Sequence, residues 1–320
     1  MPLPTKDILG ILADNLNQRK SVLPMSAAAT TRWAKGLDLP KGGKTILYTG
    51  HMYQLIPIID AMATQMSKLE DSPITKYFGL GRNVNKLVNM TAFMGMMASK
   101  ADQKDYDRML RNIAGLLKKA GIDFGYLYGE ELYSGALVYD EGIDGSFAKH
   151  AQRVCDLFKK HGVERVITVD PHTTHTLRTA YPQFVEGFDV EVKSYLEVLA
   201  ESGMEPAAQL DDELALHDSC VYARNENVVE QPRELLVKAG VRLNEPSLCG
   251  KNTHCCGGPL ESLFPSESHR IAGNRAEQLK ETKSNVATMC PICLVSLRKA
   301  AKGAVQINDI SDTLARAYGV

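Results

Sequence analysis

Five of the seven cysteines in this 320-residue chain fall into three groups in its C-terminal half. They are Cys220 alone, the vicinal pair Cys255-Cys256 followed by Gly257-Gly258-Pro259, and Cys290-Pro291-Ile292-Cys293. Thiolate is a soft ligand that suits zinc, Cu(I) and iron–sulfur centres. Zinc is commonly held by two separated C-x-x-C pairs, and cubane ferredoxin clusters use closely spaced C-x-x-C runs; the chain has neither arrangement. Adjacent cysteines chelate one small ion awkwardly but can straddle neighbouring irons of a larger cluster. A five-thiolate cluster therefore fits the pattern best, with a zinc site on four of the five and buried free thiols as the alternatives.

The local sequence favours anionic sulfur. Cys290 ends an apolar run, and Pro291 takes the first position of the helix that follows. Cys290 and Cys293 thus sit at a helix N-terminus, where free amides and the dipole lower a thiol pKa. Gly257-Gly258 lets backbone approach a bulky group without Cβ clashes. Cys220 ends another apolar run, Leu214–His217, at the carboxyl edge where open α/β sheets place their ligands. His217 and His254 flank the thiols, placed either to hydrogen-bond the sulfur site or to line the strand end. Cys249 reads as a loop thiol, and Cys155 as a core residue beside Val154 and Phe158.

The elements that must position these residues alternate. Short apolar runs predict strands at 45–48, 124–128, 165–169, 214–217, 241–244, 286–289 and 304–307. Amphipathic stretches predict helices at 6–18, 105–120, 145–161, 190–202, 228–239, 266–282 and 309–318. This alternation predicts α/β units on mostly parallel sheets. The pattern also repeats. Val166-Ile167-Thr168-Val169-Asp170-Pro171-His172-Thr173 parallels Val286-Ala287-Thr288-Met289-Cys290-Pro291-Ile292-Cys293, and Tyr133-Ser134-Gly135 parallels Cys255-Cys256-Gly257. His51 stands at the place of Cys220. Ser134 and Asp170 are 36 residues apart, Cys256 and Cys290 34, a difference that one loop indel absorbs. The fold class expected is α/β: two pseudo-repeated Rossmann-like units with mostly parallel sheets, the first having lost its thiols and carrying a helical insertion. The Met90–Met97 stretch of that insertion reads as a core-packed helix face, with a soft docking surface for a partner as the alternative.

On these three cysteine groups the chain resembles the CCG cysteine-rich domain, which defines the cysteine-rich iron–sulfur subunit of heterodisulfide reductase. The same domain recurs in glycolate and lactate oxidase iron–sulfur subunits. The resemblance implies a non-cubane [4Fe–4S] cluster held by Cys220, Cys255, Cys256, Cys290 and Cys293. It further implies an N-terminal helical extension at 1–43, a degenerate first CCG-type domain at 44–203 with its insertion at 64–120, and a complete cluster-binding domain at 204–320. The role implied is a subunit of an oxidoreductase complex. It would pass electrons between a ferredoxin-like or flavoprotein partner and a thiol/disulfide or quinone-side acceptor. The alternative from another class is a zinc-stabilised interaction subunit without redox activity.

The vacated first copy offers His51, Asp170, His172 and His175, a donor set that suits a single zinc or iron ion. Against that, Asp170-Pro171 is a good helix cap and first turn without any metal. The rest of the composition excludes more than it assigns. The net charge is −1, which provides no broad basic field for nucleic acid. No apolar run reaches membrane-spanning length, and the N-terminus lacks an export pattern. Clustered cysteines without an export signal predict a reducing, cytoplasmic setting, at most peripheral on a membrane complex.

Overall fold

The computed structural model describes residues 4–69, 82, 85 and 98–320. The Met90–Met97 stretch and most of the inserted segment between 70 and 97 lie outside these residues. Two parallel sheets organise the chain. The first has the order β1-β2-β3, from Thr45–Tyr48, Arg165–Thr168 and Glu191–Ser194. The second has the order β5-β4-β6-β7, in which β4 is Glu213–His217, β5 Arg242–Leu243, β6 Asn285–Thr288 and β7 Ile307–Asp309. All pairings among these strands are parallel.

The two sheets share one register. Tyr48 pairs with Thr168 and Thr168 with Ser194, while His217 pairs with Thr288 and Thr288 with Asp309. β1, β2 and β3 thus correspond to β4, β6 and β7, and Tyr48 occupies the position of His217. Counting on from those residues places His51 opposite Cys220 and Asp170 opposite Cys290. The counterpart of β5 is reduced to two isolated bridges, Lys41 with Tyr126 and Ile46 with Gly125. A strand expected at 124–128 is therefore only a touching segment. Gly125 lies so close to the neighbouring loop that a Cβ there would sit 1.8 Å from the Gly42 carbonyl oxygen.

Burial follows the strand period. Ile46, Tyr48 and Val166 point into a core shared with the helices Thr5–Arg19 and Asp144–His161. Leu47, Ile167 and Val169 point the other way, into a core continuous with Leu214, Leu216, Val286 and Met289 of the second sheet. Apolar residues on both faces are what a parallel sheet covered on two sides requires. The expected helix at 190–202 is instead β3 followed by the helix Tyr195–Glu201. The boundary is a capping box. The Glu197 amide donates to the Ser194 hydroxyl at 3.2 Å, and the Ser194 amide donates to the Glu197 carboxylate at 2.8 Å. Among the described residues, no helix is long and apolar enough to cross a membrane.

The units are also tied by polar contacts. Glu226 of the second unit accepts from Arg178 at 3.2 Å and from Thr179 at 3.2 Å, and meets His175 at 2.6 Å. Both partner segments, Thr176–Ala180 and Tyr222–Glu226, are single π-turns. Elsewhere, buried Tyr53 donates its hydroxyl to Asp309 Oδ2 at 2.9 Å, while Asp309 Oδ1 caps the last helix through the Ser311 amide. Burial pushes the Asp309 carboxyl up to about 6. Such a raised carboxyl contributes stability at low pH that is lost as pH rises through 6. Tyr53→Phe removes a donor from the carboxylate form. The substitution should cost about 1–3 kcal/mol, more at pH 8 than at pH 5, in urea unfolding followed by circular dichroism. An equal penalty at both pH values would contradict this account of the contact.

Candidate metal centre

Each thiol reaches the site from a different structural device. Cys220 begins the helical segment directly after β4. Cys290 follows β6 in extended conformation (φ −136°, ψ 123°), with Pro291 at the first turn of the helix Pro291–Ala301. Cys293 lies one turn into that helix. The vicinal pair rides on a loop held at both ends. Before it, Asp218 accepts from the Gly250 amide at 2.6 Å and from both terminal nitrogens of Arg233, at 2.8 and 2.9 Å. The Asp218 carbonyl also takes the Thr253 hydroxyl at 3.0 Å. After the pair, Ser268 donates to the Gly257 carbonyl at 2.9 Å.

The two glycines are required by space. Gly257 adopts φ +76°, and a Cβ there would lie 2.5 Å from the Ser268 carbonyl oxygen. A Cβ on Gly258 would meet Ile292 Cγ2 at 2.2 Å and stand 3.4 Å from Cys256 Sγ. The glycines thus let the loop close onto the Pro291 helix, bringing the vicinal thiols against Cys293.

All five thiols come together. They interact in an unbroken run from Cys220 to Cys255, Cys256, Cys293 and Cys290, each thiol shifting the titration of the next. Cys256, Cys290 and Cys293 are buried, and Cys220 and Cys255 are half-buried. Charge alternates along the run. Hydrogen bonds from Cys220 and Cys256 lower the Cys255 thiol to about 2, and the Gly257 amide adds a bond to its sulfur at 3.3 Å. Burial opposes the Cys290 anion, but bonds from Cys293 and His172 hold that thiol well below its ordinary range. Cys220 and Cys256 are raised mainly by bonding to Cys255, and Cys293 by bonding to Cys256 and Cys290.

Two histidines frame the run. His172 comes from the first unit, interacts electrostatically with Cys290, and is fixed by Asp140 at 2.8 Å from Nδ1. His217 is fully buried, and one of its ring nitrogens lies with Cys256 Sγ and Cys293 Sγ in a set all within 4.8 Å of one another. Among the described residues this is the one group of three or more His, Cys, Asp or Glu donors close enough to share an ion. His254 is directed to its neighbour's carbonyl, with Nδ1 3.0 Å from Cys255 O. Cys249 stands outside the run, its thiol raised by burial and by Glu245, while Cys155 is in the core.

The vacated copy is not assembled in the same way. Asp170 caps its helix through the Thr173 amide at 2.9 Å, and burial pushes its carboxyl up to about 7. His172 turns to Asp140 and Cys290, and His175 turns to Glu226. His51 is buried with φ +60° and an unpartnered Nε2, and burial lowers its imidazole to about 4. Its four residues form no shared donor group among the described residues. Sequence reasoning missed Asp218, Asp140 and Arg275. Of these, Arg275 left a signal: it interrupts the apolar stripe Ala272, Ala276, Leu279 of the helix Pro265–Glu281, where a charge has no reason to be without a buried partner.

The chain is 33% identical over 218 residues, 64% of its length, to a probable iron–sulfur-binding oxidoreductase, FadF, of Bacillus subtilis. It is 29% identical over 231 residues to the EtfAB:quinone oxidoreductase of Syntrophomonas wolfei, covering 66% of this chain. It is 30% identical over 226 residues to a probable membrane-anchored ferredoxin of Chromohalobacter salexigens, again covering 66% of this chain. The aligned regions cover 31%, 32% and 33% of those proteins, so the chain spans about a third of the length of the curated relatives it matches. Residues 214–298, which contain all five thiols of the run, match the cysteine-rich domain called CCG. The part of the chain that carries the five thiols is thus similar to the CCG cysteine-rich domain.

Proposed function

We propose that Cys220, Cys255, Cys256, Cys290 and Cys293 hold an iron–sulfur cluster of the non-cubane [4Fe–4S] type, and that this chain is the electron-carrying module of an oxidoreductase. The observation that carries the reading is the continuous run of five sulfurs. A single tetrahedral ion takes four ligands; a fifth sulfur in the same run, contributed by a vicinal pair, suits a centre with more than one metal. The surroundings fit such a group as well. The donor set is all sulfur, the Gly257 amide already bonds one sulfur, and two glycines keep Cβ atoms out of the approach.

When bound, such a cluster supplies a one-electron carrier that can interact with a substrate sulfur. The chain's own residues would do the remainder. Cys255 and Cys290 are ready as anions. The other three thiols lose their protons on loading, which couples uptake to pH. His172 stabilises negative charge on Cys290 from the first unit. Names of the relatives support a redox partner: one is an EtfAB:quinone oxidoreductase and one a membrane-anchored ferredoxin. The partner we propose is a ferredoxin-like or flavoprotein module, with a thiol/disulfide or a quinone-side acceptor on the other side.

Anaerobically reconstituted protein should be brown and carry about four irons and four sulfides per chain. Cys256→Ser should lose most of both. Colourless protein with one zinc and no sulfide, or full iron in the Cys256→Ser variant, would contradict the proposal. A second outcome follows from the alternating charges. In metal-free, reduced protein at pH 6, iodoacetamide should modify Cys255 about tenfold or more faster than the similarly exposed Cys220, read by peptide mass spectrometry. Loading should protect both. Equal rates in the metal-free protein would contradict the charge pattern.

A further inference from the structure

His217 has a partner that decides its chemistry. The Arg275 Nε–H donates to His217 Nδ1 at 3.1 Å, and both side chains are fully buried. Guanidinium offers donors only, so Nδ1 must accept. A neutral imidazole carries one proton, which is then on Nε2. The doubly protonated ring is excluded, because it would set one N–H against another and place a second cation beside Arg275. Arg275 itself is fastened by the Leu248 carbonyl and Gln278, each at 2.9 Å.

His217 Nε2 is buried with no hydrogen-bond partner. Such a donor costs stability unless it finds an acceptor. One ring nitrogen of His217 lies with the sulfurs of Cys256 and Cys293 in a set all within 4.8 Å of one another. Those sulfurs become strong acceptors when they are anionic, which is their state on a metal. The first unit provides an internal comparison. Its thiols are absent, the His217 position is Tyr48, and that hydroxyl donates to the Leu132 carbonyl at 2.8 Å. Arg153 lies 18 residues after Gly135, as Arg275 lies 18 after Gly257, but it binds the carbonyls of Leu16 and Asn17. Thus the arginine–histidine pair is found in the unit that has thiols and is split in the unit that does not.

We infer that Arg275 fixes His217 as the Nε2–H tautomer, making it a hydrogen-bond donor to the sulfurs of Cys256 and Cys293 and not a metal ligand. This rests on the cluster reading for its effect on potential but not for the tautomer. A ligand would need the Nε2 lone pair, which this tautomer does not offer. A hydrogen bond to cluster sulfur stabilises the reduced, more negative state and raises the potential.

The test has two readouts on the full chain. In metal-free protein labelled with ¹⁵N-histidine, long-range ¹H–¹⁵N spectra at pH 7 should show His217 with a pyrrole-type Nε2 and a pyridine-type Nδ1. The signal is assigned by its loss in His217→Leu, and the tautomer preference should be lost in Arg275→Met. In iron-loaded protein, EPR-monitored titration should give a lower midpoint potential for His217→Leu at unchanged iron content. His217→Gln, which restores an N–H donor, should recover part of that shift. A His217 proton on Nδ1 overturns the inference, as does an unchanged potential in His217→Leu, and so does loss of iron in His217→Leu that His217→Gln does not restore. If wild-type protein takes up no iron, the cluster reading fails, while the tautomer spectra still decide the arginine–histidine arrangement.

Discussion

Five sulfurs packed into one run, three of them buried, cannot all be anions without strong mutual repulsion, and the rest of the site is organised around that constraint. In low dielectric, adjacent negative charges repel strongly, and the neighbours accordingly lower the thiols of Cys255 and Cys290 while those of Cys256 and Cys293 are raised. Each lowered thiol has its own support. Cys255 has the Gly257 amide, and Cys290 has His172 from the other unit. The arrangement is a set of donors under mutual strain that a multivalent cationic group would relieve. This is why the run reads as a metal centre and not as ordinary thiol packing.

The first unit has no such run, but it is not an idle copy. Its helix Pro171–His175 supplies His172 to Cys290 and His175 to Glu226, and its Asp140 orients His172. The same carboxyl edge that carries thiols in the second unit has become a polar buttress in the first. The equality of strand register makes this exchange possible: corresponding residues of the two units sit at corresponding heights on their sheets. The first unit, which lacks these thiols, thus supports the sulfur of the second through His172.

The strand–helix alternation, the parallel sheets and the helix start at Cys290-Pro291 were legible in the sequence, because each rests on short-range patterns: apolar runs and a Cys-Pro step. The strand Glu191–Ser194 was not, because a four-residue alternating run leads directly into a helix and only the Ser194–Glu197 box marks the join. The segment 124–128 has strand composition but meets its neighbour at isolated points. The expected histidine–aspartate set of the first unit was plausible by residue type, yet His172 and His175 found carboxylate partners from distant segments. Such partners, Asp140 and Glu226, have no sequence signature. Arg275 did have one, a charge in an apolar helical stripe, whose meaning depends on knowing that His217 lies opposite.

The central claim is that one run of thiols holds a centre with several metals. X-ray absorption at the iron edge of anaerobically reconstituted protein tests it most directly. The account predicts a sulfur-dominated shell together with iron–iron scattering, both lost in a variant lacking the Cys255-Cys256 pair. A single-metal shell with nitrogen and sulfur ligands and no metal–metal scattering would contradict it.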